Sequence, residues 1–302
     1  RYKEAVRQRI ELERPLRVVA DCGNGCGALV AGDLLRSLGC ELTTLFCEPD
    51  GRFPNHHPDP TVLENLTDLI ATVREKGADI GIGYDGDADR VGVVDERGEV
   101  VFADKMLALL AREVLARGPA KVVFDVKCSQ ALVEDIEEHG GTPIMWKTGH
   151  SLLKRKIKEE GAPIGGEMSG HMVLPEGYYN IDDAIYASCR ILQMLSRSDR
   201  PLSEMVASLP SYCSTPEIRG ETADDATKFE IVSKAVDYFK ANYEVIDVDG
   251  VRVLFGDGWG LVRASNTQPV IVMRFEARSR ERLEEIQTLV TSKLSEFGQI
   301  TF

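Results

Sequence analysis

Two stretches one domain length apart follow the same script, and that repetition constrains the fold more than any other feature. Arg17-Val18-Val19-Ala20-Asp21 is a short apolar run that delivers a glycine-rich turn, Cys22-Gly23-Asn24-Gly25. Lys121-Val122-Val123-Phe124-Asp125 repeats it. Ala131-Leu132-Val133 echoes Ala28-Leu29-Val30, and Gly161-Ala162-Pro163-Ile164-Gly165 parallels Gly77-Ala78-Asp79-Ile80-Gly81. Helix-period stretches lie between the strands, predicted over 28–38 and 61–76 and closed by Gly39 and Gly77. Strands alternating with helices of this length build a mostly parallel sheet with helices on both faces, and ligands bind at the carboxyl ends of its strands. From Ser211 the texture changes to a helix over 227–243, strands over 251–255, 259–262 and 270–275, and a closing helix over 279–297. The expected fold is therefore two similar three-layer α/β domains, at 1–100 and 101–210, followed by a smaller α+β domain at 211–302.

Lys and Arg number 36 against 49 Asp and Glu, a net charge of −13. That acidity argues against a duplex nucleic-acid partner, which needs a basic footprint. It leaves room for an anionic small substrate, because a few cations in one cleft override the distant field. No apolar run is long enough to span a bilayer and no signal peptide is visible, so a cytoplasmic protein without a membrane partner is expected. The seven cysteines form no Cys-x-x-Cys pair and are read as reduced thiols. Arg1 opens directly into a helical pattern, Tyr2 to Leu12, with no initiator Met and no cap, and the chain is read as a piece of a longer one.

Three loops could carry chemistry. Asp85-Gly86-Asp87-Ala88-Asp89-Arg90 sets three carboxylates at alternate positions, with small residues that allow the chain to curl them round a hard cation. An EF-hand is disfavoured because Arg90 fills the place of its turn glycine and the flanks are strands; a haloacid-dehalogenase nucleophile fails because no threonine follows at the right spacing. Gly165-Gly166-Glu167-Met168-Ser169-Gly170-His171 offers hydrogen-bonding groups suited to vicinal hydroxyls, with His171 able to meet a phosphate or move a proton. Arg263-Ala264-Ser265-Asn266-Thr267 places a guanidinium, two hydroxyls and an amide on one tight turn, a seat for a phosphate dianion. Lys127 and Lys147-Thr148-Gly149-His150 add cations and donors, while His56 and His57 fall in a proline-rich loop over 48–60 and are assigned to its structure.

In this order the three loops resemble the α-D-phosphohexomutase family, in its bacterial phosphomannomutase/phosphoglucomutase branch. The likeness extends across essentially the whole chain and includes Phe53-Pro54-Asn55-His56-His57-Pro58, Phe124-Asp125-Val126-Lys127-Cys128 and Gly258-Trp259-Gly260. Phosphoglucosamine mutases are similar but typically carry Gln where Met168 stands. The resemblance implies that Asp85, Asp87 and Asp89 hold Mg²⁺, that Glu167 and Ser169 grip sugar hydroxyls, and that Arg263, Ser265, Asn266 and Thr267 bind the non-reacting phosphate. Arg90, Lys127, His150 and His171 would line the cleft, with Arg90, Lys127 and His171 as the catalytic set. It further implies interconversion of a hexose 1-phosphate and 6-phosphate through a phosphoserine and a 1,6-bisphosphate. Family members carry that serine in a Thr-x-Ser-His-Asn-Pro loop of a first domain, which these 302 residues do not contain. The domains here look like the second, third and fourth, and the missing N-terminal domain would be the partner that completes the site and supplies the fourth metal ligand. Alone, the chain is expected to bind but not to turn over. A Mg²⁺-dependent sugar phosphatase and a non-catalytic sugar-phosphate binding protein are the alternatives.

Overall fold

The computed structural model describes residues 1–265 and 268–301. Three domains of mixed α/β character follow one another, and the chain divides into two compact units. Arg1–Phe124, Leu132–Ile144 and Gly149–Pro210 form one; Asp125–Ala131, Met145–Thr148 and Ser211–Phe302 form the other.

In the first domain α1 (Tyr2–Arg7), β1 (Arg17–Asp21), α2 (Ala31–Ser37), β2 (Glu41–Leu45), α3 (Thr67–Lys76), β3 (Ile80–Tyr84), β4 (Val91–Asp95) and β5 (Val100–Val101) follow in order. The sheet runs β2-β1-β3-β4-β5, parallel from β2 to β3 and antiparallel beyond. Every residue of β3 is buried, as a strand covered on both faces must be. Gly81 makes that possible: a Cβ there would sit 2.6 Å from Val73 of α3, so only glycine lets the helix lie this close.

The second domain contains α4 (Ala103–Leu115), β6 (Lys121–Asp125), α5 (Gln130–Glu138), β7 (Thr142–Trp146), α6 (His150–Glu160), β8 (Ile164–Gly166), β9 (Met172–Val173), α7 (Ala184–Ser196) and α8 (Leu202–Val206). Its sheet order, β7-β6-β8-β9, repeats β2-β1-β3-β4 of the first, the plan that the sequence repeat implies. The third domain adds β10 (Cys213–Ser214), β11 (Ile218–Glu221), α9 (Asp225–Asn242), β12 (Glu244–Ile246), β13 (Val251–Leu254), β14 (Gly258–Ala264), β15 (Val270–Ala277) and α10 (Arg280–Phe297). Its strands are antiparallel in the order β10-β15-β14-β13-β12, with β11 also on β15. Phe239 of α9 and Ile286, Val290 and Leu294 of α10 pack with Phe275 of the sheet in one buried cluster. Within the same unit Arg252 is wholly buried, stacked 3.7 Å from the Trp259 ring centre and donating to the carbonyls of Val126 and Cys128 at 2.9 and 2.7 Å.

The structure corrects the sequence reading at three places. The first-domain helices begin later than their periodicity suggests, each preceded by a 3₁₀ turn, Cys26–Leu29 or Leu63–Leu66. Neither α2 nor α3 has a side-chain cap at its start, and such tighter turns are a common way for a chain to enter a helix without one. The opening helix ends at Arg7 rather than near Leu12. Cys22 and Cys47 are disulfide-bonded, with Cα atoms 5.0 Å apart, against the expectation of seven reduced thiols. The parallel register of β1 on β2, with Asp21 opposite Leu45, brings the residues beyond both strand ends side by side although 25 positions separate them. The other five cysteines are not disulfide-bonded.

Candidate active site

The acidic loop is the connection between β3 and β4. Asp85 is buried at its base, Asp87 is exposed and Asp89 half-buried, and one carboxylate oxygen from each lies within 4.8 Å of the others. Ala88, at φ 64°, takes the left-handed conformation that curls the chain, and its small side chain keeps the strain low. Asp85 Oδ1 accepts the backbone N–H groups of Asp89 and Arg90, both at 3.0 Å, and Oδ2 accepts Arg90 Nε at 2.9 Å. Arg90 also reaches Asp59 Oδ1 at 3.1 Å. Burial pushes the Asp85 carboxyl up to about 6 despite these donors. The hydrogen bond to His171 holds Asp89 below the usual carboxylate range.

The glycine-rich loop between β8 and β9 lies against the acidic one. Val91 N–H donates to the Gly170 carbonyl at 3.2 Å, and Arg90 and His171 form an antiparallel bridge. Gly170 is at φ +103°, and a Cβ there would come within 2.7 Å of the Val91 carbonyl oxygen, so glycine is what admits the neighbouring strand. His171 Nε2 stands 3.3 Å from Asp89 Oδ1, while Nδ1 faces Glu167 Oε2 at 2.9 Å and Ser169 Oγ at 3.0 Å. Burial disfavours its charged form, but Asp89 and Glu167 outweigh that and raise it to about 9. Glu167 is buried, and its Oε1 accepts the Gly149 N–H at 2.5 Å. His150, opening α6, stacks on His171 with ring centres 5.2 Å apart and meets Asp182 Oδ2 at 2.6 Å. Lys154 holds the other Asp182 oxygen at 2.7 Å. Asp85, Asp87, Asp89, Arg90, His150, Glu167, Ser169 and His171 thus belong to one compact unit. Sequence reading missed Asp59 and Asp182, which carry no motif and join the group only through the fold.

In the other unit Lys127 Nζ lies 3.2 Å from Glu217 Oε2 and 4.0 Å from Asp125 Oδ2. Arg263 is buried, and its Nε donates to Asp249 Oδ2 at 2.9 Å. The same oxygen accepts the Thr148 N–H at 3.0 Å. Arg263 Nη2 is buried with no hydrogen-bond partner among the described residues, an arrangement that suits an anion. Ser265 Oγ accepts the Gln268 N–H at 3.3 Å. Asn266 and Thr267 lie outside the described residues. Asp249 is another partner that sequence reading missed.

Duplicated α/β domains with an α+β domain following, and an acidic loop beside a polar, glycine-bounded cradle, define a protein of multidomain α/β class. Comparison narrows this. Family models described as phosphoglucomutase/phosphomannomutase alpha/beta/alpha domain II, alpha/beta/alpha domain III and C-terminal domain match residues 1–98, 102–212 and 217–293 in turn. The chain belongs to the phosphoglucomutase/phosphomannomutase family. It is 49% identical over 298 residues to a phosphomannomutase/phosphoglucomutase of Pseudomonas putida, covering 97% of this chain and 64% of that protein. A phosphoglucomutase/phosphomannomutase family protein from Burkholderia thailandensis superposes with a TM-score of 0.90 at 43% identity, covering 100% of this chain and 65% of that one. The fold also matches an Aspergillus fumigatus N-acetylphosphoglucosamine mutase solved with GlcNAc-6P and magnesium, at TM-score 0.69 and 17% identity, over 98% of this chain and 64% of that one. The chain therefore spans less than two thirds of the length of these relatives. Among the described residues no helix is long and apolar enough to cross a membrane.

Proposed function

We propose that these residues form the metal- and sugar-phosphate-binding part of a phosphohexomutase that interconverts hexose 1-phosphate and 6-phosphate, of glucose or mannose. One observation carries the reading. Asp89 of the acidic loop and His171 of the glycine-rich loop stand 3.3 Å apart, so groups for a cation and groups for a phosphosugar share one surface.

Asp85, Asp87 and Asp89 hold Mg²⁺ in this reading; three clustered oxygen donors fit a hard cation, and Asp85 would use Oδ2, since its Oδ1 already accepts two backbone N–H groups. The ion, when bound, neutralises charge on a phosphoryl group in transfer. Arg90 is fixed by Asp85 and Asp59 and presents a permanent cation at the same rim. His171 is kept as an imidazolium by carboxylates on both ring nitrogens and meets phosphate oxygen, with His150 stacked beside it. Glu167 and Ser169 address hydroxyls present in either orientation of the sugar. Lys127 is a further phosphate contact, and Arg263 with Ser265 seats the phosphate that does not react. The phosphoserine that gives and takes the phosphoryl group comes from outside these residues, through a 1,6-bisphosphate.

Calorimetry with mannose 1-phosphate and glucose 1-phosphate, paired with phosphorus NMR of the same samples, tests this. Binding that strengthens with Mg²⁺ and weakens in Asp87→Asn, with no isomer formed, is expected. Isomer formation by this polypeptide alone would mean that the phosphoryl acceptor lies within it, and release of free phosphate would favour a phosphatase. Binding indifferent to both Mg²⁺ and Asp87→Asn would remove the acidic loop from the site.

A further inference from the structure

We propose a second cation site in the first unit, sharing only Asp89 with the three-aspartate loop and suited to a borderline transition ion such as Zn²⁺. Asp89, His150, His171 and Asp182 each offer one ligand atom, and the four atoms lie within 4.8 Å of one another. They come from four separate stretches: the acidic loop, the start of α6, the loop between β8 and β9, and the run before α7. Two imidazoles with two carboxylates form a mixed nitrogen and oxygen set, which favours zinc or cobalt over magnesium. Donors around tetrahedral zinc stand roughly 3.4 Å apart, given bonds of about 2.0–2.1 Å; the His171–Asp89 pair, at 3.3 Å, already has that spacing, and the His150–Asp182 pair, at 2.6 Å, would open to reach it.

Two surrounding contacts are those that zinc ligands use. Glu167 Oε2 lies 2.9 Å from His171 Nδ1, a carboxylate–histidine pair that aims Nε2 at the cluster, where Asp89 Oδ1 is 3.3 Å away. Lys154 holds Asp182 Oδ1 at 2.7 Å and leaves Oδ2, already 2.6 Å from His150 Nδ1, turned to the site. The ion would replace the proton on His171 Nε2, releasing it to solvent, share Asp89 with the acidic loop and occupy both histidines, so it would exclude a phosphate from them. The four side chains define the site whether or not the chain handles sugar phosphates.

Zinc titration of the 302-residue chain by calorimetry, in excess Mg²⁺, tests it. One zinc site is expected, weakened about tenfold or more in His150→Ala and in Asp182→Asn, with circular dichroism of both variants matching the parent. Cobalt in place of zinc should give the strong visible bands of a four-coordinate nitrogen and oxygen set without a thiolate charge-transfer band. On the unsubstituted chain, zinc should protect both His150 and His171 from diethyl pyrocarbonate, read by peptide mass spectrometry. No zinc binding, affinity unchanged in both variants, a thiolate band, or unprotected histidines would each overturn the proposal.

Discussion

At the scale of single residues, His171 sets a pH dependence. Its ordinary value of 6.5 rises to about 9 because carboxylates flank both nitrogens and outweigh its burial. A group raised on folding contributes stability in full below its unfolded value and loses it as pH climbs through the folded one. The urea midpoint of the metal-free chain should therefore fall between pH 6.5 and about 9, and His171→Gln should flatten that part of the profile. A His171 ring that titrates by NMR near 6.5 would contradict the arrangement. Arg263 gives a second residue-scale expectation. Its fork spends Nε on Asp249 and leaves a buried Nη2 without a partner among the described residues. Lysine keeps the charge but has no second arm. Arg263→Lys should weaken hexose phosphate binding about tenfold or more by calorimetry, near the cost of one charge-assisted hydrogen bond. Equal affinity would free that loop from any part in binding.

At the scale of elements, the contact between β4 and the glycine-rich loop depends on one missing methyl group. Gly170→Ala would place a Cβ 2.7 Å from the Val91 carbonyl at a φ of +103°, so a loss of about 1–3 kcal/mol is expected in chemical denaturation. Mg²⁺ affinity should fall with it, because the same contact presses the acidic loop against its neighbour. The Cys22–Cys47 link also belongs here. Alkylation of the denatured, unreduced chain should modify five cysteines, and only reduction should expose the remaining two; seven modified without reductant would refute the bond. Most elements were legible from periodicity, since β13, β14, β15, α9 and α10 each lie within two residues of their expected spans. The helix starts were not, because capping is a three-dimensional contact and α2 and α3 have no side-chain cap. The disulfide was not, because spacing along the chain says nothing about which strand ends become neighbours.

For the molecule as a whole, a net charge of −13 meets an acidic loop whose anions repel one another. Mg²⁺ at a hundred times its dissociation constant should add about 2.7 kcal/mol to stability and raise the melting temperature. Asp87→Asn, at an exposed position, should abolish most of that rise while leaving the metal-free midpoint level or slightly higher, because one of the repelling charges is gone. An equal rise in the variant would locate the effect elsewhere. The sequence by itself determined the duplicated α/β plan and the acidic and glycine-rich motifs, because hydrophobic period and turn chemistry are local properties that survive in one dimension. Tertiary structure alone decided that Asp89 faces His171, that Asp182 and Asp59 join them, and that Asp249 steadies Arg263. Those partners are single carboxylates on unremarkable stretches of chain, and electrostatic pairing acts through a few ångströms of space, a distance that sequence order does not encode.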